Sequence, residues 1–180
     1  MIFTILSKIF FFNKNIQTRF ITTLYPHVYL PRLPYQSTFR DDASAIEILA
    51  HEYIHLKDRK KYGWLFNFAY LSPQIFALFA PLALLEPWWL LSLIALLPFP
   101  SPGRAWIEFR GYKTSLAVYY WLHGKKHDID FIVKQFTGSG YYWMMPFEKY
   151  LVEKFEKEYR KVVSDDLSDE LKELKEALQI

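Results

Sequence analysis

Between Lys61 and Arg104 lie 42 residues with a single charge, Glu86. A domain of ordinary size seldom carries so long a stretch without a solvated face, so these residues must be covered by protein or by lipid. The first arm, 64–85, has 22 residues, enough for a helix to cross a hydrocarbon core of roughly 30 Å. Pro73 and Pro81 should kink it. Glu86-Pro87 reads as a turn. The second arm, 88–99, has 12 residues and rises only about 18 Å as a helix. The pattern therefore predicts an apolar helical hairpin over 64–99 that dips into a membrane, with the core hairpin of a soluble protein as the alternative.

The rest of the 180-residue chain limits the choices further. Apolar residues make up 52% and aromatics 19%, which excludes a disordered chain. With no Cys there is no disulfide, thiolate metal site or Cys nucleophile. A net charge of +3 is too small to argue for nucleic acid, and no nucleic-acid partner is expected. The charge is unevenly spread: residues 147–180 hold 7 Lys+Arg and 10 Asp+Glu. That shift suggests a domain over 1–146 and a C-terminal helical extension over 147–180.

Residues 1–13 are apolar but lack the basic start and small-residue cleavage site of a signal peptide, so a buried or membrane-surface helix is expected there. The β-branched and aromatic run 16–31 predicts strands at about 17–24 and 27–30, broken near Pro26. The first of these, at a sheet edge, offers a place for an extended substrate to pair. A helix is predicted from 41–44, with Ser44 and Glu47 as a capping box, an apolar face including Leu49 and Tyr53, and Gly63 as its stop. A second helix is predicted over about 104–122, after Ser101-Pro102-Gly103. Charged helices are predicted over 147–163 and 167–179, the last as a surface or partner-binding segment. The fold class expected is α+β and mostly helical, with a short N-terminal β-ribbon or small sheet.

The first of these helices contains His51-Glu52-Tyr53-Ile54-His55, an H-E-x-x-H motif. Residues i and i+4 share a helical face, so both imidazoles can reach one Zn²⁺ at about 2.0–2.1 Å. Glu52 sits beside that face, placed to take a proton from zinc-activated water. A catalytic zinc usually needs a third protein ligand. Asp58 and Lys61 stand where the long-spacer zincin pattern requires Gly and His, which excludes that class. Glu86 and Glu108 are the glutamates between 53 and 147, and Glu86 falls at the hairpin turn. Glu108, amid apolar residues on the second helix, is the expected ligand; a salt bridge to Arg104 or Lys113 is the plain alternative. Asp58, one turn beyond His55, suits an indirect role. Tyr112 lies on the Glu108 face and is nominated as an electrophilic helper, with Tyr141 and Tyr142 behind it. His123 and His127 are expected at the surface or behind the ligands. Gly111 costs its helix about 1 kcal/mol against Ala, which a close approach between the two metal-bearing helices would explain.

His51, Glu52, His55 and the downstream Glu108 resemble the gluzincin arrangement of zinc metallopeptidases. The apolar hairpin between the motif helix and the glutamate helix resembles that of integral-membrane zinc peptidases that process prenylated or membrane proteins. More loosely, the strings YLSPQIFAL, RAWIEFRGY and FTGSGYYWMMPF resemble small zincin-like proteins of tailed bacteriophages. The family's glutamate motif has Asp four residues on, where this chain has Tyr112. The resemblance implies a zinc peptidase acting on a peptide or protein. A chain that leaves the motif helix and returns to it through a hairpin keeps both on one side of a membrane. The basic residues flanking 64–99 place that side in the cytoplasm. A non-enzymatic, membrane-anchored or virion-associated structural protein with a structural zinc site is the rival reading.

Overall fold

The computed structural model describes residues 22–24, 26–29 and 42–179. The apolar segment 1–13 and most of the strand expected at 17–24 lie outside the described residues. So does the start of the first helix before Asp42.

The α+β class is corrected. From Asp42 onward the described elements are all helical, and the described extended pairing is a three-residue antiparallel ladder, β1 (Thr22–Leu24) against β2 (His27–Tyr29). Six residues form no sheet layer for helices to pack on, and a two-stranded ladder of this length has no independent stability. The β-branched run was read for strand propensity, but the core is built by helix on helix.

Helix α1 (Asp42–Tyr62) ends at Gly63, whose φ of +59° suits a residue without Cβ. Arg59, Lys60 and Lys61 occupy its last turn, where the helix dipole favours cations. Its buried stripe is Ala50, His51, Ile54, His55 and Asp58. That differs from the apolar face counted from sequence, since Leu49 and Tyr53 are each 45% exposed. The helix buries polar groups instead, and these face α3 (Pro102–His123). Glu47, read as part of a capping box, carries an ion pair with His127 Nε2 at 3.2 Å. Burial opposes the charged imidazole there, but Glu47 and the Asp128 carbonyl outweigh it and raise the His127 pKa.

Helix α3 is the axis of the molecule. One face meets α1. Another packs Ala105, Leu116 and Ala117 into a core completed by α4 (Ile129–Thr137), α5 (Glu148–Val163) and α6 (Asp169–Leu178). Phe136, Phe155, Leu151 and Leu171 fill that core, so the C-terminal helices contribute to it directly. Arg110 joins three helices: it donates to buried Asp58 of α1 at 2.8 Å and to both Glu170 carboxylate oxygens of α6 at 2.8 and 3.0 Å.

Residues 64–96 stand apart from this core. Helix α2 (Trp64–Leu71) is followed by two 3-10 helical arms, Gln74–Leu84 and Pro87–Leu96, folded against each other around Glu86. The first arm turns from α2 by 86° at Ser72-Pro73. None of the three elements contains a buried residue. Among the described residues no single helix is long and apolar enough to cross a membrane, and the bent pair passes that test only when joined. Helix α2 is fixed to the start of α3 at close range. A Cβ on Gly103 would lie 2.5 Å from the Ala69 carbonyl oxygen, so the two backbones touch. Arg104 reinforces the junction by donating to the Tyr70 carbonyl at 2.9 Å and to Gln74 Oε1 at 3.1 Å.

Candidate metal centre

The two helices bring His51, His55 and Glu108 to one point. One face of α1 carries both imidazoles, and Glu108 faces them from the second turn of α3. Glu108 Oε2 lies 3.5 Å from His51 Nε2 and 3.8 Å from His55 Nε2. One ligand atom from each residue falls within 4.8 Å of the others. Ligands around a tetrahedral ion with bonds of 2.0–2.1 Å sit roughly 3.3 Å apart, so the two His–Glu separations are wider by only a few tenths of an ångström. All three residues are buried.

The hydrogen bonds leave that point open. Tyr70 Oη, on α2, donates to Glu108 Oε1 at 2.9 Å. Glu108 Oε2, facing the imidazoles, is buried and receives no hydrogen bond. Ser115 Oγ lies 3.3 Å from His51 Nδ1. With the proton on Nδ1 donating to Ser115, the Nε2 lone pair is turned toward Glu108. His55 Nδ1 is buried with no partner among the described residues. Glu108 pairs with neither Arg104 nor Lys113: Arg104 holds α2, and Lys113 faces Glu158 at 3.6 Å.

The charge states favour a cation at this point. Burial first, then the neighbouring His51, pushes the His55 imidazole down to about 4 against the pull of Glu108. His55 is thus neutral at physiological pH, the form that ligates metal. Burial works to raise the Glu108 carboxyl, but the two imidazoles and the Tyr70 hydroxyl outweigh it and hold it below the usual carboxylate value. A buried carboxylate beside a neutral imidazole, with one oxygen lacking a donor, lacks the partner such groups require. Two nitrogen donors and one oxygen donor suit a borderline-soft divalent ion such as zinc.

Gly111 is part of the same construction. A Cβ there would lie 2.5 Å from His51 Nε2 and 2.6 Å from Cε1. The close approach expected at this glycine is made by the imidazole itself. Tyr112 packs its ring edge-on against His51, with centroids 4.7 Å apart. Its hydroxyl and that of Tyr141 are close enough to influence each other, and burial raises both phenols. Glu52 is half-buried beside His51, and its charge is felt at Tyr141. Asp58 is not at the metal point; it is buried and paired with Arg110. His123 is exposed and stacks on Tyr119, and His127 pairs with Glu47, so neither approaches the three ligands as one of the group.

Sequence reasoning passed over Tyr70 and Ser115. Ser115 lies seven residues after Glu108, two turns along the same face, so its spacing alone could have flagged it. Tyr70 carries no such signal: it is one aromatic among many in an apolar arm. No protein-family model, curated protein or solved structure matches this chain.

Proposed function

We propose that this protein is a zinc-dependent metallohydrolase, a peptidase that works at a membrane through residues 64–99 with its site on the cytoplasmic side. The observation that carries the reading is the convergence of His51, His55 and Glu108 with a buried carboxylate oxygen left without a donor. A zinc ion held by these three residues supplies Lewis acidity and lowers the pKa of bound water toward roughly 7. The residues of the chain then have separable tasks. Ser115 and Tyr70 hold one imidazole and the carboxylate in orientation. Glu52 takes the proton of the attacking water and delivers it to the leaving amine. The Tyr112–Tyr141 hydroxyl pair offers a donor to the developing oxyanion. His51, Glu52 and His55 with the downstream Glu108 are the basis for likening the chain to gluzincin-type peptidases, and the hairpin between the two helices for likening it to integral-membrane zinc peptidases.

A structural zinc site is the second reading, and the low exposure of all three ligand residues favours it. Glu52→Gln separates the two. As an enzyme, the variant keeps its zinc and loses about 10²- to 10⁴-fold in hydrolysis of a quenched peptide library. Unchanged hydrolysis would remove Glu52 from the mechanism. A zinc-bearing wild type with no hydrolysis would assign the site to structure.

A further inference from the structure

The hairpin over 74–96 and its shoulder α2 have no buried residue, and their side chains are apolar on every side rather than on one stripe. Leu84 is 93% exposed, Trp88 78% and Leu85 77%. An interfacial helix shows a polar face as well as an apolar one, and this hairpin has none. Its backbone bonds close internally, as in Phe76 N–H to Pro73 O, Leu85 N–H to Leu82 O and Trp89 N–H to Glu86 O. That is the condition for entering hydrocarbon. Arms of 11 and 10 residues rise about 2 Å per residue, so they reach about 20 Å and turn short of the far side of a core of roughly 30 Å.

Charge points to the kind of bilayer. Arg59, Lys60 and Lys61 lie on the last turn of α1, directly before Trp64, and form no ion pair with a described residue. Lys57, one turn earlier, is already held by Glu173 at 2.6 Å. Three cations without an ion pair to a described carboxylate, next in sequence to an apolar wedge, complement anionic headgroups; Lys61 also lies over the Tyr62 ring at 5.2 Å.

The same wedge is wired to the metal ligands. Tyr70 belongs to α2, and its hydroxyl holds Glu108 Oε1. The Gly103–Ala69 contact and Arg104 fix α2 to the helix that carries Glu108. Beyond these contacts, the element is held by Ser101 donating to the Ser72 carbonyl, Tyr142 donating to the Leu96 carbonyl and Phe66 against His55; it has no buried residue of its own, so whatever covers it also steadies Tyr70.

We propose that an anionic lipid bilayer is the partner of residues 64–99, which enter one leaflet as a wedge, and that Tyr70 transmits this engagement to the metal-binding residues. The lipid half stands on its own observations; the coupling half rests on the metal-centre reading above.

The test uses the full-length protein and vesicles of phosphatidylcholine with and without phosphatidylglycerol. Binding is read by co-sedimentation, and zinc affinity by competition with a chromophoric chelator. Vesicles containing phosphatidylglycerol are expected to bind wild type at least ~tenfold more tightly than phosphatidylcholine alone. Replacing Arg59, Lys60 and Lys61 together with Gln, all on the helix surface, removes that preference. Glu86→Gln, at the tip, tightens binding about tenfold, because a carboxylate no longer has to be neutralised in hydrocarbon. Zinc affinity of wild type rises several-fold on these vesicles, and that of Tyr70→Phe does not change. Equal binding to both lipids, no binding, or self-association through this face in place of lipid binding overturns the lipid half. Lipid binding with zinc affinity unchanged overturns the coupling. No zinc binding in any condition overturns the metal-centre reading, and the coupling with it, while leaving lipid binding in place.

Discussion

Glu108→Gln is expected to abolish zinc binding and, with it, the stabilisation that zinc gives the fold. The substitution keeps the size of the side chain, and its amide oxygen can still accept from Tyr70. It removes the negative charge and one of three ligands. Zinc affinity should fall more than ~100-fold, a larger loss than the 10- to 100-fold seen when only a partner of a ligand is removed. Zinc at 100 times its Kd adds about 2.7 kcal/mol to wild type alone. In chelator the variant should melt no higher than wild type, because the imidazoles and Tyr70 that hold the Glu108 carboxyl below its usual value favour its charged form. At roughly 2–4 °C per kcal/mol for a chain of this size, a zinc-induced rise in wild type and none in the variant is visible in a thermal melt. Equal zinc-induced shifts in the two proteins would show that Glu108 is no ligand.

The second large effect belongs to a residue with no side chain. Gly111→Ala puts a methyl group 2.5–2.9 Å from three atoms of the His51 ring, below any ordinary contact. The ring has nowhere convenient to go. His55 and Tyr112 flank it, at centroid distances of 4.8 and 4.7 Å, and Ser115 holds its Nδ1 side. Overpacking of this kind costs about 1–3 kcal/mol, and the gain in helix propensity returns only about 1 kcal/mol. The net destabilisation is then about 0–2 kcal/mol. The change in metal affinity does not cancel, since relief of the clash must move His51 Nε2 away from Glu108. We expect zinc affinity to fall at least ~100-fold with the metal-free melting temperature altered by only a few degrees, read by chelator competition beside a melt in EDTA. Wild-type zinc affinity in Gly111→Ala would mean that His51 is not a ligand in the position described.

The three converging residues were legible because their chemistry is tied to helical spacing. His51 and His55 share a face by the i, i+4 rule, and Glu108 was reached by elimination among the few later glutamates. The supporting groups were less so. Ser115 follows from the same face of α3, but nothing local marks Tyr70, which arrives through a bend of 86° and a glycine–alanine backbone contact. Helices α1, α3, α5 and α6 were read closely from caps and breakers, Gly63 and Pro102 above all, but α4 (Ile129–Thr137), which brings Phe136 to the core, was not predicted. The sheet was over-read. A run such as IQTRFITTLYPHVYLP has strand composition, yet strand propensity measures fit to a pleated surface, and among the described residues it pairs over three residues only. The buried face of α1 was read in part: Ala50 and Ile54 are buried and His51 and His55 face Glu108 as expected, but Leu49 and Tyr53 are exposed, and Asp58 is buried because Arg110 meets it across the interface, a pairing apolar periodicity cannot signal.

The central claim is a single divalent ion shared by His51, His55 and Glu108. Its most direct test is the zinc content of the purified full-length protein by mass spectrometry after equilibration with zinc and removal of free metal. The account predicts about one equivalent, in the three-ligand arrangement of such sites, lost in both His55→Ala and Glu108→Gln. Less than a tenth of an equivalent in wild type, or one equivalent retained in both variants, would contradict it.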